Sequence, residues 1–191
     1  MGLASLLFFF ALFFGSDVKG ATGYYSVLSV TNGQSWGDWD SKEMCPSGYY
    51  ATGFSLRIEH GQGGGDDTAL NGIRLHCSRP GNNYWITVDS NSGWWGDWTE
   101  ARFCYSGSLK SFQLKVEPPQ GDGDDTAAND IKFQCSNGEI LEGGGMPWGD
   151  WGEWSTDCYD GGICGIQTRL EPPQGRGDDT ALNDVRFFCC N

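Results

Sequence analysis

Basic residues are scarce in this chain: its 191 residues carry 12 Lys and Arg against 25 Asp and Glu, a net charge of −13. A chain this acidic repels phosphate backbones, which excludes nucleic acid as an ordinary partner. Histidine is nearly absent. Neither His60 nor His76 stands in a nucleophile motif, and no Gly-x-Ser-x-Gly occurs. Long apolar runs are missing apart from Leu6 to Phe14, which falls short of the roughly 20 residues that cross a bilayer. There is no Asn-x-Ser/Thr acceptor, so N-glycosylation is not expected. No long segment has a 3.6-residue apolar period, which removes helices as a framework.

What is present points outside the cell. Residues 1–20 read as a secretory signal, with small Val18 and Gly20 before a cleavage point at Ala21. Cleavage removes Asp17 and Lys19 together, so the mature charge stays at −13 and no membrane insertion is expected. All eight Cys lie downstream, and an even count behind a signal reads as four disulfides. Close Cys pairs on both sides of a zinc site are lacking, so neither a metal nor a cofactor is expected. Hydrophobic residues are 38% and aromatics 14%, with nine Trp, enough to bury a core and to exclude wholesale disorder.

Self-comparison is the most informative step. EHGQGGGDDTALNGIRLHC ends at Cys77, EPPQGDGDDTAANDIKFQC at Cys135 and EPPQGRGDDTALNDVRFFC at Cys189. A Trp-Gly-acid-Trp element precedes each: Trp36 to Trp39, Trp95 to Trp98 and Trp151 to Trp154, the last preceded by another, Trp148 to Trp151. Three units therefore fill residues 21–191, at about 21–80, 81–138 and 139–191. Apolar and polar residues alternate in Phe54 to Glu59, Phe112 to Glu117 and Ile166 to Glu171. They alternate again at Ile73, Leu75 and Cys77, and at the corresponding positions of the other units. Period two marks strands with one buried face, so the chain is predicted to be all-β. A unit of about 55 residues is too small to be stable alone. The economical reading is one domain in which each unit forms a small antiparallel sheet packed on the other two.

Repeat equivalence favours the pairs Cys45–Cys77, Cys104–Cys135 and Cys158–Cys189, separated by 32, 31 and 31 residues. Cys164 and Cys190 have no counterparts and are left to pair with each other; exchange of Cys189 with Cys190 is the alternative.

The Trp-Gly-acid-Trp element, the Pro-Pro-Gln-Gly-x-Gly-Asp-Asp-Thr-Ala-x-Asn loop and the terminal Phe-Cys-Cys resemble the vitelline membrane outer layer protein I family over residues 23–191. The resemblance implies a β-prism of three Greek-key sheets around a Trp-rich core, in an extracellular protein of an egg coat or secreted fluid. It also implies company with lysozyme and mucin-type glycoproteins, and a weak lysozyme-like transfer of N-acetylglucosamine units. Avian members are basic by this resemblance. The acidity of this chain instead favours basic proteins such as lysozyme over polyanionic mucin.

Candidate site residues follow. Asp122, Asp124 and Asp125 suggest a calcium loop, but Phe133 stands where an EF-hand needs its bidentate Glu. Turn formation by the Asp and Thr side chains is the stronger reading. Glycan contacts are assigned to Trp94 and Trp148, as exposed extras, with Asp67, Asp125 and Asp179; most other Trp are expected in the core. Glycoside chemistry needs two carboxyls about 5–9 Å apart, and Glu59, Glu117 and Glu171 are the candidates. Since each recurs in every unit, pairing with Arg57, Lys115 and Arg169 is the expected structural role. A secreted binding or structural protein is the leading reading, with chito-oligosaccharide binding or transfer second.

Overall fold

A computed structural model describes residues 23–60, 69–82, 84–118, 128–171 and 182–191. The signal at residues 1–20 and the loop acids Asp67, Asp122, Asp124, Asp125 and Asp179 lie outside them.

The described residues form strands and no helix. In chain order these are β1 (Ser26–Leu28), β2 (Asp38–Trp39), β3 (Glu43–Met44), β4 (Tyr50–Ile58), β5 (Leu70–Ser78), β6 (Trp85–Asp89) and β7 (Asp97–Trp98). They continue as β8 (Arg102–Phe103), β9 (Leu109–Val116), β10 (Ala128–Cys135), β11 (Ile140–Glu142), β12 (Asp150–Trp151), β13 (Gly162–Leu170) and β14 (Leu182–Cys190). The six long strands are those the alternating pattern predicts, extended at their N-terminal ends. They pair as antiparallel hairpins: β4 with β5, β9 with β10 and β13 with β14.

Three sheets result, ordered β1-β14-β13-β2 with β3 also on β13, β6-β5-β4-β7 with β8 also on β4, and β11-β10-β9-β12. Here the expectation of one sheet per repeat unit fails. Each central hairpin receives its edge strands from the next unit along the chain, and β1, β2 and β3 of the first unit complete the sheet of the last. The reason is geometric. A hairpin with one apolar face still has two open edges, and the following segment is already there to pair with them.

The inner faces meet in one core. Phe54, Phe112, Phe133 and Phe187 come from all three sheets, are at most 1% exposed, and have ring centroids 4.7 to 6.4 Å apart. Leu56, Ile73, Leu75, Ile131 and Ile166 pack around them. The core is thus built of Phe, Leu and Ile, not of Trp as the resemblance implies. None of the nine Trp is among the buried residues. Eight of them lie on or beside two-residue edge strands, from which an indole cannot reach between the central hairpins.

Three disulfides form as repeat equivalence favours, Cys45–Cys77, Cys104–Cys135 and Cys158–Cys189, and the two cysteines left over pair as Cys164–Cys190. The first three each join two sheets. Cys45 donates its N–H to Cys164 O on β13 while its sulfur reaches Cys77 on β5, and Cys104 and Cys158 repeat the arrangement around the axis.

Candidate functional site

Each Trp-Gly turn docks on the end of a neighbouring hairpin. Asp38↔Leu170, Asp97↔Ile58 and Asp150↔Val116 are the register partners. Gly37, Gly96 and Gly149 have φ of +72°, +83° and +75°, and a Cβ at any of them would strike a backbone carbonyl, that of Leu170, Ile58 or Val116. Only Gly tolerates both the left-handed backbone and that close approach. This corrects the third element: Trp148-Gly149-Asp150-Trp151 is the structural counterpart, and Trp151 to Trp154 runs on beyond it.

A pair of cations holds each turn. Arg57 Nε donates to Gly96 O at 3.1 Å, Arg169 Nε to Gly37 O at 2.9 Å and Lys115 Nζ to Pro147 O at 2.6 Å. From the adjacent strand, Arg74 lies over the Trp98 ring at 4.1 Å, Lys132 over Trp151 at 3.9 Å and Arg186 over Trp39 at 4.3 Å. These three cations, expected to pair with the repeated glutamates, thus also bond the turn's carbonyls, while Arg74–Asp89 and Lys132–Glu142 are ion pairs among the described residues. A guanidinium facing a turn of outward carbonyls finds several acceptors at once, and Arg57 also reaches Gly93 O and Trp94 O.

The result is a station repeated three times. Trp36, Trp95 and Trp148 are 56%, 56% and 54% exposed, while Trp39, Trp98 and Trp151 are half-buried under their cations. Asp38, Asp97 and Asp150 are exposed between them. Glu171, Glu59 and Glu117 follow directly on β13, β4 and β9, with their backbones against the glycine of the turn. They sit one residue past the strand ends, Glu59 buried and the other two half-buried, instead of on the strands' polar faces. The stations share one end of the molecule: Asn32 donates to Leu114 O, Gln34 to Glu117 O, and Thr168 to Asn91 O. Trp94 adds a second indole to one station and is 78% exposed.

Two carboxyls the sequence reading passed over lie beneath these turns. Burial pushes Asp184 up to about 6, against the pull of the Val185 N–H, Arg169 and Arg186. Burial also raises Asp130, despite N–H donors from Gly145, Ile131 and Gly144. Both stand at the same repeat position, where the first unit has Gly72, and Gly33 and Gly143 cross over them with no room for a Cβ. They are roofed by backbone and serve the packing. Among the described residues no group of three His, Cys, Asp or Glu could hold a metal.

Three sheets closed around one core by strand exchange define the β-prism fold, and solved β-prism lectins share it. Calystegia sepium agglutinin aligns with a TM-score of 0.53 at 12% identity, covering 85% of this chain and 94% of its own. Calsepa lectin in complex with a bisected glycan aligns at 0.54 and 11% identity, covering 87% and 97%. The family model described as vitelline membrane outer layer protein I matches residues 26–191, and the chain belongs to that family. The human vitelline membrane outer layer protein 1 homolog is 53% identical over 92% of this chain and 88% of its own length, and the mouse homolog 55% over 87% and 84%.

Proposed function

We propose that the protein is a secreted binding component of an extracellular coat or fluid, cleaved after residue 20 and working as one prism over residues 21–191. Its turn end presents three glycan-binding stations. The observation that carries this reading is the repeated exposure of Trp36, Trp95 and Trp148, each set by an unyielding Gly turn beside an exposed Asp. An indole face stacks on the C–H face of a pyranose ring, and a carboxylate beside it accepts from sugar hydroxyls. Rigid presentation limits the ordering cost of binding. Three equal stations suit a repetitive ligand, such as the glycans of coat glycoproteins or an N-acetylglucosamine oligomer. The chain's acidity adds attraction for basic proteins such as lysozyme, felt within about 8 Å at physiological salt.

Binding is favoured over turnover. Glycosyl transfer needs a carboxyl of raised pKa in contact with substrate, and the raised carboxyls among the described residues, Asp130 and Asp184, are roofed by backbone. Calorimetric titration with N-acetylglucosamine oligomers tests the reading. Heat of binding is expected in the native protein and absent when Trp36, Trp95 and Trp148 are all changed to Ala. No heat at millimolar oligomer removes the glycan assignment. Full glycosyl-transfer activity in a Glu117→Gln variant would take that residue out of any enzymatic alternative.

A further inference from the structure

The opposite end of the prism carries a cleft of about 1020 Å³ that the repeat does not generate. It opens where Cys104–Cys135 staples the β4–β5 sheet to the β9–β10 sheet, and Gly161 of the third sheet closes one side. Its aromatic wall is Trp85, Phe103 and Tyr105, exposed by 49%, 37% and 92%. Trp85 and Phe103 pack at a tilt, ring centroids 5.2 Å apart, and the His76 ring backs both, at 6.4 Å from Trp85 and 5.2 Å from Phe103. His76 is itself fixed by Ser55, 3.0 Å from its Nε2. Burial, with Arg74 nearby, holds its imidazole below the ordinary range, so the backing stays uncharged at neutral pH.

The same cleft is lined by small hydroxyls: Ser78, Ser106, Ser108 and Ser136. Ser78 and Ser108 are tied to Thr52 Oγ1 and Gly161 O, which orients them without closing the space between. One charged side chain lines the cleft among the described residues, and it is a cation, Arg79. Of the chain's 12 Lys and Arg, six hold the Trp turns. Arg79, by contrast, is exposed and lies over the Tyr49 ring at 4.8 Å, and among the described residues its guanidinium makes neither an ion pair nor a hydrogen bond. The nearby acid Glu139 is occupied by the Tyr105 N–H at 2.8 Å.

We infer that this cleft is a second binding site, specific for an oligosaccharide bearing an acidic group, with Trp85 and Tyr105 stacking on sugar rings and Arg79 bonding the acid. Exposed aromatic rings and fixed hydroxyls in one cleft suit a pyranose, which offers C–H faces to the first and hydroxyls to the second. A guanidinium with five donors and no acceptor among the described residues is completed by a sulfate or carboxylate in the bidentate geometry it favours. In a molecule of net charge −13, a cavity holding a cation and no acid is selective for the anion that can reach it. The site is independent of the turn end, because none of its lining residues belongs to a Trp-Gly station.

The test is calorimetric titration of the full mature chain with 6-sulfo-N-acetyllactosamine, sialyl-N-acetyllactosamine and unmodified N-acetyllactosamine. At least one acidic form is expected to bind about tenfold more tightly than the neutral one, the usual worth of a charge-assisted bond. Whichever acid is preferred, sulfate or carboxylate, names the group. Arg79→Gln should reduce it to the neutral level, and Trp85→Ala, made in the variant that already lacks Trp36, Trp95 and Trp148, should abolish binding of all three. If Trp85→Ala fails to fold, Tyr105→Ala, at a 92% exposed side chain, carries the same expectation at smaller amplitude. Equal affinity for acidic and neutral sugars overturns the charge assignment, and no binding of any sugar overturns the site. The triple variant at Trp36, Trp95 and Trp148 should bind the acidic sugar as the native protein does, so the two ends fail or stand separately.

Discussion

The two ends of the prism are made from the same three hairpins and treat the pseudo-threefold axis differently. At the turn end, Trp36, Trp95 and Trp148 agree in exposure to within two percentage points, and the left-handed Gly and the cation over the second indole recur around the axis. At the cystine end the disulfides recur, but Trp85, Tyr105 and Arg79 occur once, in connections that differ from unit to unit. Repetition at the first end serves both architecture and valency. Departure from repetition at the second is what a specific cleft requires, because three identical loops cannot build one asymmetric pocket. A residue's recurrence is therefore evidence about the fold, and its failure to recur is evidence about a site.

The comparison can be broken most forcefully through the staples. Changing Cys104 and Cys135 to Ala should cost about 2–5 kcal/mol, and so should changing Cys164 and Cys190, since loops of 31 and 26 residues differ little in closure entropy. Thermal melts of the two double variants check this. If the bridge between sheets is worth more than the one between paired strands by over about 1 kcal/mol, it also acts in the folded state, holding the cleft in shape.

Next in size is the glycine of a station. Gly96→Ala places a Cβ against the Ile58 carbonyl at a φ of +83°. The left-handed backbone costs roughly 1–2 kcal/mol and overpacking about 1–3 more. Gly138→Ala has a similar φ, +88°, with nothing within 4 Å, and should cost only the first part. Denaturant unfolding of both separates the conformational requirement from the docking.

Much of this architecture was legible in the sequence. Period-two alternation marks all six long strands, and repeat equivalence finds three disulfides and leaves two cysteines for the fourth. Strand exchange was not legible, because Asp38–Trp39, Asp97–Trp98 and Asp150–Trp151 are too short to carry a period. Trp148 and Trp151 open two overlapping copies of one motif, and only the positive φ of Gly149 distinguishes them. The indoles' exposure was hidden because composition counts apolar residues without saying which element holds them. The cleft was invisible for a different reason: its lining comes from separate, unrepeated connections, and only Trp85's position outside every Trp-Gly element could have drawn attention to it.

A gain of stability is expected beneath the turns. The folded-state pKa of Asp184, about 6, lies above the ordinary carboxyl value near 4. Between about pH 4 and 6 the folded state keeps a proton that the unfolded chain has lost, so stability falls as pH rises through that window and is level above it. Asp184→Asn keeps the acceptor for the Val185 N–H and removes the charge. It should stabilise the protein by about 1–2 kcal/mol at pH 7, discounting for the group's partial exposure, and by almost nothing at pH 4. A flat difference between the two melting curves across that range would mean that water reaches the carboxyl under Gly33.

The smallest effect concerns the cations that clamp the half-buried indoles. Arg186 lies over Trp39 at 4.3 Å, donates to Gln167 Oε1 at 2.9 Å and makes no ion pair among the described residues, whereas Arg74 lies over Trp98 at 4.1 Å and also pairs with Asp89 at 2.6 Å. A cation above an indole is worth about 0.5–1 kcal/mol at such sites, and a surface ion pair about 0–1. Arg186→Gln should therefore destabilise by about 0.5–1 kcal/mol at any ionic strength that leaves the fold intact, since a contact partly shielded by the ring is weakly screened. Arg74→Gln should cost more at low salt and converge on the Arg186→Gln value in high salt, as the Asp89 contribution is screened away. Convergence would mean that the stations share one mechanism of support beneath different local charges. If the two costs stayed apart in high salt, the threefold end would be symmetric in shape but not in energy, and equal affinity at its three stations could no longer be assumed.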